Sequence, residues 1–185
     1  MDNFQTTKQR ESALFSSVKE RFGYVNPMQT PRIEKVVVSA GVGSVQDKER
    51  RELIGESLSV ITGQKASGTR AKKSIASFKL REGDLSGYQV TLRGVRMYAF
   101  LDKLIHIVLP RTRDFRGLKL GAVDEMGNYT IGLREHTVFP ETADEDVRNV
   151  FGMAITIVTT AKTKEEAEAL LRGIGLPLRR EEEKN

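Results

Sequence analysis

The chain has 185 residues, of which 38% are hydrophobic and 30% charged, with no cysteine and a formal net charge of +5. That length supports one well-buried core and is short for two, and the charge suits a modest core beneath a large working surface. The lack of cysteine excludes a disulfide framework and thiolate metal centres. No apolar run approaches the roughly 18–20 residues of a membrane span, and the polar opening MDNFQTTKQRESALF is unlike a secretory signal, so a cytoplasmic protein without membrane contact is expected.

In chain order, residues 5–23 place Ala13, Leu14, Val18 and Phe22 on one side of a short amphipathic helix that Gly23 ends. Pro27 and Pro31 make a turn-rich connector. IEKVVVS, residues 33–39, is β-branched on both faces and reads as an inner strand. Asp47 then caps a helix to about Ile61, with Leu53, Ile54, Leu58 and Ile61 as its apolar stripe. Residues 62–87 are polar, basic and rich in Gly and Ser, and read as one long basic loop. YQVTLRG, residues 88–94, alternates Tyr88, Val90 and Leu92 with Gln89, Thr91 and Arg93, which predicts a strand with one dry and one polar face. Residues 95–109 have helical spacing, and Pro110 is expected to stop them. Residues 128–133 and 153–161 read as strands. Thr163 stands three residues before Glu166, a capping-box spacing for a helix over 163–175.

This order predicts an α+β fold: a mainly antiparallel sheet with helices packed on one face, the other face open for a ligand, and one long basic loop. Nothing divides the chain, so residues 1–185 are read as a single domain with a flexible first few residues and a tail over 179–185.

Charge is unevenly placed. Residues 1–61 carry 9 Lys/Arg against 8 Asp/Glu, residues 62–116 carry 12 against 4, and residues 117–185 carry 9 against 13. The basic middle third points to a polyanionic partner. Catalytic patterns are thin. Gly41 and Gly43 begin a dinucleotide fingerprint, but Gln46 stands where its third glycine belongs, and no phosphate-loop motif is present. The glycines are better explained by a tight turn or a close backbone approach. His106 lies off the apolar stripe of its helix. His136 sits near Glu135 and Glu141 without a nucleophile motif or a second ligand at fixed spacing. No catalytic residue, metal or cofactor is expected.

The polar face of residues 88–94 is more informative, because Gln, Thr and Arg side chains donate and accept at base edges, sugar hydroxyls and phosphates. Before it, Arg70, Lys72, Lys73, Lys79 and Arg81 fall within twelve residues around Phe78. Such a loop suits a phosphate backbone with a stacking aromatic, though Phe78 serves equally well as a loop anchor. Two readings follow: a structural RNA-binding protein, or a basic RNA-processing enzyme.

The stretches NPMQTPRIEKVVVSAGVG, ITGQK, AKKSIASFKLREG, GYQVTLRGVRMYAFLDKLI, LPRTRDFRGL, GNYTIGLREHTVFPE and ITIVTTAKTKEEAEALL resemble, in order, those of the bacterial large-subunit ribosomal protein five family. Ser39 stands where that family usually has Asn. VDEMGNY replaces the usual aromatic-Asp-Gly-Arg lead into Gly127, and GDLSG replaces a loop commonly carrying Pro-Ile. The resemblance implies a structural role in the central protuberance. It implies a 5S ribosomal RNA face at Lys35, Ser39, Gln64, Lys65, Gln89, Thr91 and Arg93. It also implies a loop toward peptidyl-site tRNA, with Arg70, Lys72, Lys73, Phe78, Lys79 and Arg81. A bridge region toward a small-subunit head protein would hold Arg111, Arg113, Asp114, Arg116, His136 and Glu141. Large-subunit RNA and neighbouring 5S-associated proteins complete the implied partners.

Overall fold

The computed structural model describes residues 5–45, 47–76, 80–144 and 149–179. Its elements are α1 (Thr7–Phe22), β1 (Ile33–Gly41), α2 (Lys48–Thr62), β2 (Ser67–Arg70), β3 (Leu85–Leu92), α3 (Gly94–Lys103, continued by a π turn over Leu104–Val108 and a last turn over Leu109–Arg111), β4 (Tyr129–Leu133), β5 (Met153–Thr159) and α4 (Lys164–Gly173). The strands form one five-stranded sheet in the order β2-β3-β1-β5-β4. β2 and β3 are antiparallel. The end of β5 meets the start of β1 through the Thr160 N–H donating to the Arg32 carbonyl at 2.9 Å, and the end of β1 meets the start of β3 through Val42 N–H and the Ser86 carbonyl at 2.9 Å. Those neighbours are therefore antiparallel too, and the α+β class is as the residue pattern predicts. β1 is the central strand.

The chain divides into two compact units, one of residues 1–36, 93–131 and 156–185, the other of residues 37–92 and 132–155. In the first, α1 is opened by Thr6, whose hydroxyl accepts from the Gln9 N–H while the Gln9 side chain accepts from the Thr6 N–H. Gly23 closes it at φ 67°. Leu14 and Val18 are buried as the spacing predicts, but Ala13 is exposed. The Glu11 carboxylate ties α1 to two other elements: one oxygen accepts from the Ile33 N–H at 2.6 Å, the other from the Tyr98 hydroxyl. Burial first, and Glu11 second, hold the Tyr98 hydroxyl well above the usual tyrosine range.

In the second unit, α2 starts at Asp47, whose side chain accepts from the Glu49 N–H at 3.0 Å. Its buried stripe is Ile54, Leu58 and Ile61; Leu53, expected among them, is 44% exposed. The helix lies over the dry face of β3, so close that a Cβ at Gly55 would stand 2.8 Å from the Tyr88 ring.

Two expectations are corrected. The long loop of residues 62–87 is largely structured: Ser67–Arg70 form β2, and β3 starts at Leu85 rather than Tyr88. β2 carries no apolar residue, so it exists through its ladder to β3 and not through periodicity. Pro110 does not stop α3. In the π turn the Leu109 N–H reaches back to the Leu104 carbonyl, and Pro110 then opens a fresh turn, where its missing N–H costs little. At Gly41 a Cβ would meet nothing within 4 Å and at Gly43 only the Ser86 carbonyl at 3.8 Å, and the Val45 N–H closes a turn onto the Val42 carbonyl at 3.0 Å, so these glycines serve a tight turn that this chain itself does not crowd. The close approach is at Gly87, where a Cβ would lie 2.7 Å from the Ala40 carbonyl oxygen.

Candidate nucleic-acid interface

Alternation decides which strand residues stay accessible. Along β1, Val36, Val38 and Ala40 are buried, while Lys35, Val37 and Ser39 are half-buried. Along β3, Val90 and Leu92 are buried, and Gln89 and Thr91 are half-buried. Within the unit of residues 37–92 and 132–155, Ser39, Gln89 and Thr91 are thus among the accessible polar side chains of these strands.

Gln64 joins them from the end of α2. That helix closes at Gly63 with φ 65°, and the Thr62 hydroxyl bonds both the Leu58 and the Gln64 carbonyls, at 2.8 and 3.1 Å. The turn so fixed sends the Gln64 side-chain amide to the Thr91 carbonyl at 3.2 Å. Ser59 completes the turn by accepting from the Ala66 N–H at 2.9 Å. Gln64 and Thr91, far apart in sequence, therefore share one place on β3. Lys65, next in the chain, is exposed.

Two further residues belong to this surface and carry no sequence signal, because β2 itself carries none. Ser67 stands opposite Gln89 and Thr69 opposite Gly87 in the β2–β3 ladder, so both share the face of Gln89. The Thr69 hydroxyl donates to the Gly87 carbonyl at 3.0 Å. Between them Gly87 is buried, and the room a side chain would take is filled by the Ala40 carbonyl oxygen and the Thr69 hydroxyl, which lets β1, β2 and β3 pack closely there. The surface offers hydroxyls and amides above a rigid sheet, with Lys65 and Arg70 exposed beside it. That donor set suits riboses, phosphates and base edges.

Lys35 and Arg93 belong to the other unit. The Arg93 guanidinium donates to Glu34 at 3.2 Å, with both side chains about half exposed. Such a pair is weakly held and leaves the cation available to a phosphate.

The basic segment after β2 folds back as a hairpin extension. Ala71 N–H reaches the Asp84 carbonyl at 2.9 Å, Gly83 N–H the Ala71 carbonyl at 3.0 Å, and Ile75 and Leu80 bond each other in both directions. Arg70, Lys72, Lys73 and Arg81 are exposed along it, and Arg70 also reaches the Gly83 carbonyl at 3.4 Å. Phe78 and Lys79 lie outside the described residues.

Of the predicted bridge region, Arg111, Arg113, Asp114 and Arg116 are assigned to the first unit. Arg111, Asp114 and the neighbouring segment stand at the surface, Asp114 with the left-handed φ of 53° that Asp tolerates better than most side chains. Glu141 is exposed in the second unit. His136 differs: it is fully buried, stacks on Phe151 with ring centroids 4.1 Å apart, and accepts from the Phe151 N–H at its Nδ1, 3.3 Å away. Its ring supports the loop and cannot itself touch a partner. That enclosure, by an aromatic neighbour 15 residues further along the chain, has no local sequence signature. Among the described residues no group of three or more His, Cys, Asp or Glu is placed to hold a metal, and no helix is long and apolar enough to cross a membrane.

Comparison with known proteins adds an independent line. Residues 26–81 match the family model described as ribosomal protein L5, and residues 86–178 match the model for the C-terminus of the same ribosomal family. The chain is 51% identical over 171 residues to the large ribosomal subunit protein uL5 of Flavobacterium johnsoniae, covering 92% of this chain and 93% of that one. It is 52% identical over 164 residues to the uL5 protein of Rubrobacter xylanophilus, covering 88% and 91% respectively. With the uL5 protein of Heliobacterium modesticaldum it shares 52% identity over 167 residues, covering 90% and 93%.

Proposed function

The chain belongs to the ribosomal protein L5 family, whose members are structural rather than enzymatic, and from that premise we propose that it serves in the large ribosomal subunit by binding 5S ribosomal RNA through Ser39, Gln64, Gln89 and Thr91. Ribosomal RNA and neighbouring ribosomal proteins are then its partners. The observation that carries the finer reading is the pinning of Gln64 on the Thr91 carbonyl, which assembles a preorganised polar patch from residues that the family resemblance assigns to 5S RNA. A patch whose donors are already held loses little freedom on binding. Ser39 supplies a hydroxyl in place of the usual amide, one donor-acceptor group instead of two.

The exposed cations of the hairpin extension, Arg70, Lys72, Lys73 and Arg81, are assigned to peptidyl-site tRNA. Arg111, Arg113 and Arg116, with Asp114 and Glu141, are assigned to the subunit bridge. His136 acts there only by holding the backbone around it. In this reading the chain helps build the central protuberance and works by positioning RNA.

Equilibrium binding to 5S RNA across a salt series tests the proposal. The logarithm of the association constant should fall linearly with the logarithm of salt, by roughly 0.7–0.9 per phosphate neutralised. A salt-independent affinity, or no preference for 5S RNA over an unrelated structured RNA, would overturn it.

A further inference from the structure

A pocket of about 350 Å³ lies within the unit of residues 1–36, 93–131 and 156–185, and none of its lining residues belongs to the polar sheet face. α1 supplies Lys8, Ser12 and Phe15, spaced to share one side of the helix. α3 supplies Tyr98, and the connector before β1 supplies Thr30 and Arg32. Met28 stands at its rim, 74% exposed.

Three observations define what this pocket would take. Two aromatic rings, Phe15 and Tyr98, line a space large enough for a planar heterocycle. Lys8 and Arg32 outnumber the single carboxylate, Glu11, and both oxygens of Glu11 already accept internal hydrogen bonds, from the Ile33 N–H and the Tyr98 hydroxyl. The Thr30 hydroxyl oxygen is shut away from solvent without a hydrogen-bond partner, an uncommon state that marks a site wanting a polar group. Aromatic walls, an excess of cations and an unanswered hydroxyl together match a base joined to a phosphate.

We propose that this pocket holds one unstacked nucleotide of an RNA strand. The base lies against Phe15 and Tyr98, the phosphate meets Lys8 and Arg32, and the Thr30 side chain turns about χ1 to bring its hydroxyl, shut away in the free chain, onto a polar edge of the base or ribose. The inference rests on the reading of the chain as an RNA-binding ribosomal protein, but it places a second RNA contact on residues separate from the Gln64–Thr91 patch. Nucleotide chemistry could also come from a free mononucleotide, and the test separates the two sources.

The test follows backbone amide signals of the full chain by nuclear magnetic resonance. It uses adenosine 5′-monophosphate, hexaadenylate, ribose 5-phosphate and a fully paired RNA hairpin as probes. Saturable shifts at Ser12, Phe15, Thr30 and Arg32 are expected with the first two, and hexaadenylate should bind at least about tenfold tighter, since flanking phosphates add contacts. The paired hairpin should leave these amides unmoved, and shifts as large as those with hexaadenylate would overturn recognition of an unstacked base. Phe15→Ala should weaken hexaadenylate binding about tenfold, the scale of one stacking contact, and Thr30→Val about fivefold. Phe15→Tyr should keep the affinity, which separates a lost ring from a damaged fold. Thr91→Val should leave these shifts unchanged, so failure of the 5S reading and failure of this one remain distinguishable. Absence of shifts at these amides overturns the proposal. Equal shifts with ribose 5-phosphate would overturn base recognition, and mononucleotide binding as tight as hexaadenylate would overturn the RNA source.

Discussion

The Gln64 side-chain amide donates to the Thr91 backbone carbonyl at 3.2 Å, so the turn after α2 and the polar face of β3 form a single unit. Because the contact uses the backbone of Thr91, the two side chains can be tested separately. Thr91→Val keeps the shape and the carbonyl, and suits a strand. It should weaken 5S RNA binding by about 1–2 kcal/mol with no loss of thermal stability. Gln64→Ala should weaken binding as well, and the double variant should lose less than the sum, because neighbours sharing a partner couple. Filter binding with a thermal melt checks all three; full additivity would mean the RNA reads the two residues independently.

The hairpin extension after β2 separates subunit attachment from tRNA retention. Replacing Arg70, Lys72, Lys73, Lys79 and Arg81 with Gln leaves the described backbone ladder between Ala71 and Asp84 untouched. The variant should still sediment with large subunits, yet tRNA should leave the peptidyl site faster, since lost contacts in a preformed site mainly raise the dissociation rate. A variant that no longer joins the subunit would make these cations an anchor instead.

Gly87→Ala should destabilise the fold by about 1–3 kcal/mol, because its Cβ would press on the Ala40 carbonyl oxygen at 2.7 Å and backbone on both strands must shift. Gly41→Ala, where a Cβ meets nothing within 4 Å, should change stability little. Urea denaturation of the two variants makes the comparison; equal midpoints would show that β1 and β3 part freely at that point.

Burial raises the Tyr129 hydroxyl from 10.0 to about 12, and the hydroxyl donates to the Lys119 carbonyl at 2.9 Å. The neutral form is thus favoured in the folded chain. The unfolded chain loses that proton near pH 10 and the folded chain near pH 12, so the contribution is fully present below the lower value and is lost as pH rises through that window. Denaturation measured from about pH 9 to 12 should show the fall, and Tyr129→Phe should flatten it, leaving the parts due to Tyr98 and Tyr24. An identical fall in parent and variant would assign the alkaline sensitivity elsewhere.

Much of the fold is legible because local chemistry declares it. Asp47 and Thr163 look like caps and are caps: Thr163 accepts from the Glu166 N–H at 3.3 Å, while the Glu166 side chain reaches one residue further than a capping box, to the Lys162 N–H at 2.8 Å. The alternation of residues 88–92 is real because one face of β3 meets α2 and the other meets water. What stays hidden depends on partners distant in sequence. Ser67–Arg70 become a strand only because β3 is there to pair with. His136 is implied to be a bridge residue, but Phe151 covers its ring. The π turn that carries α3 past Pro110 is a shift in hydrogen-bond register, invisible to side-chain spacing.

The position of β1 sets the order of events during synthesis. It is made early, but its two neighbours in the sheet, β3 and β5, arrive at Leu85–Leu92 and Met153–Thr159. The bond from Arg32 to Thr160 spans 128 residues. A nascent chain can therefore zip β1 to β3 while the partner for its other edge is still untranslated. That edge stays open until nearly the whole chain has emerged, and an open hydrophobic strand edge invites wrong partners. Timely supply of β5, or a temporary cover such as a chaperone, then governs how much of the newly made protein reaches the particle it is built for.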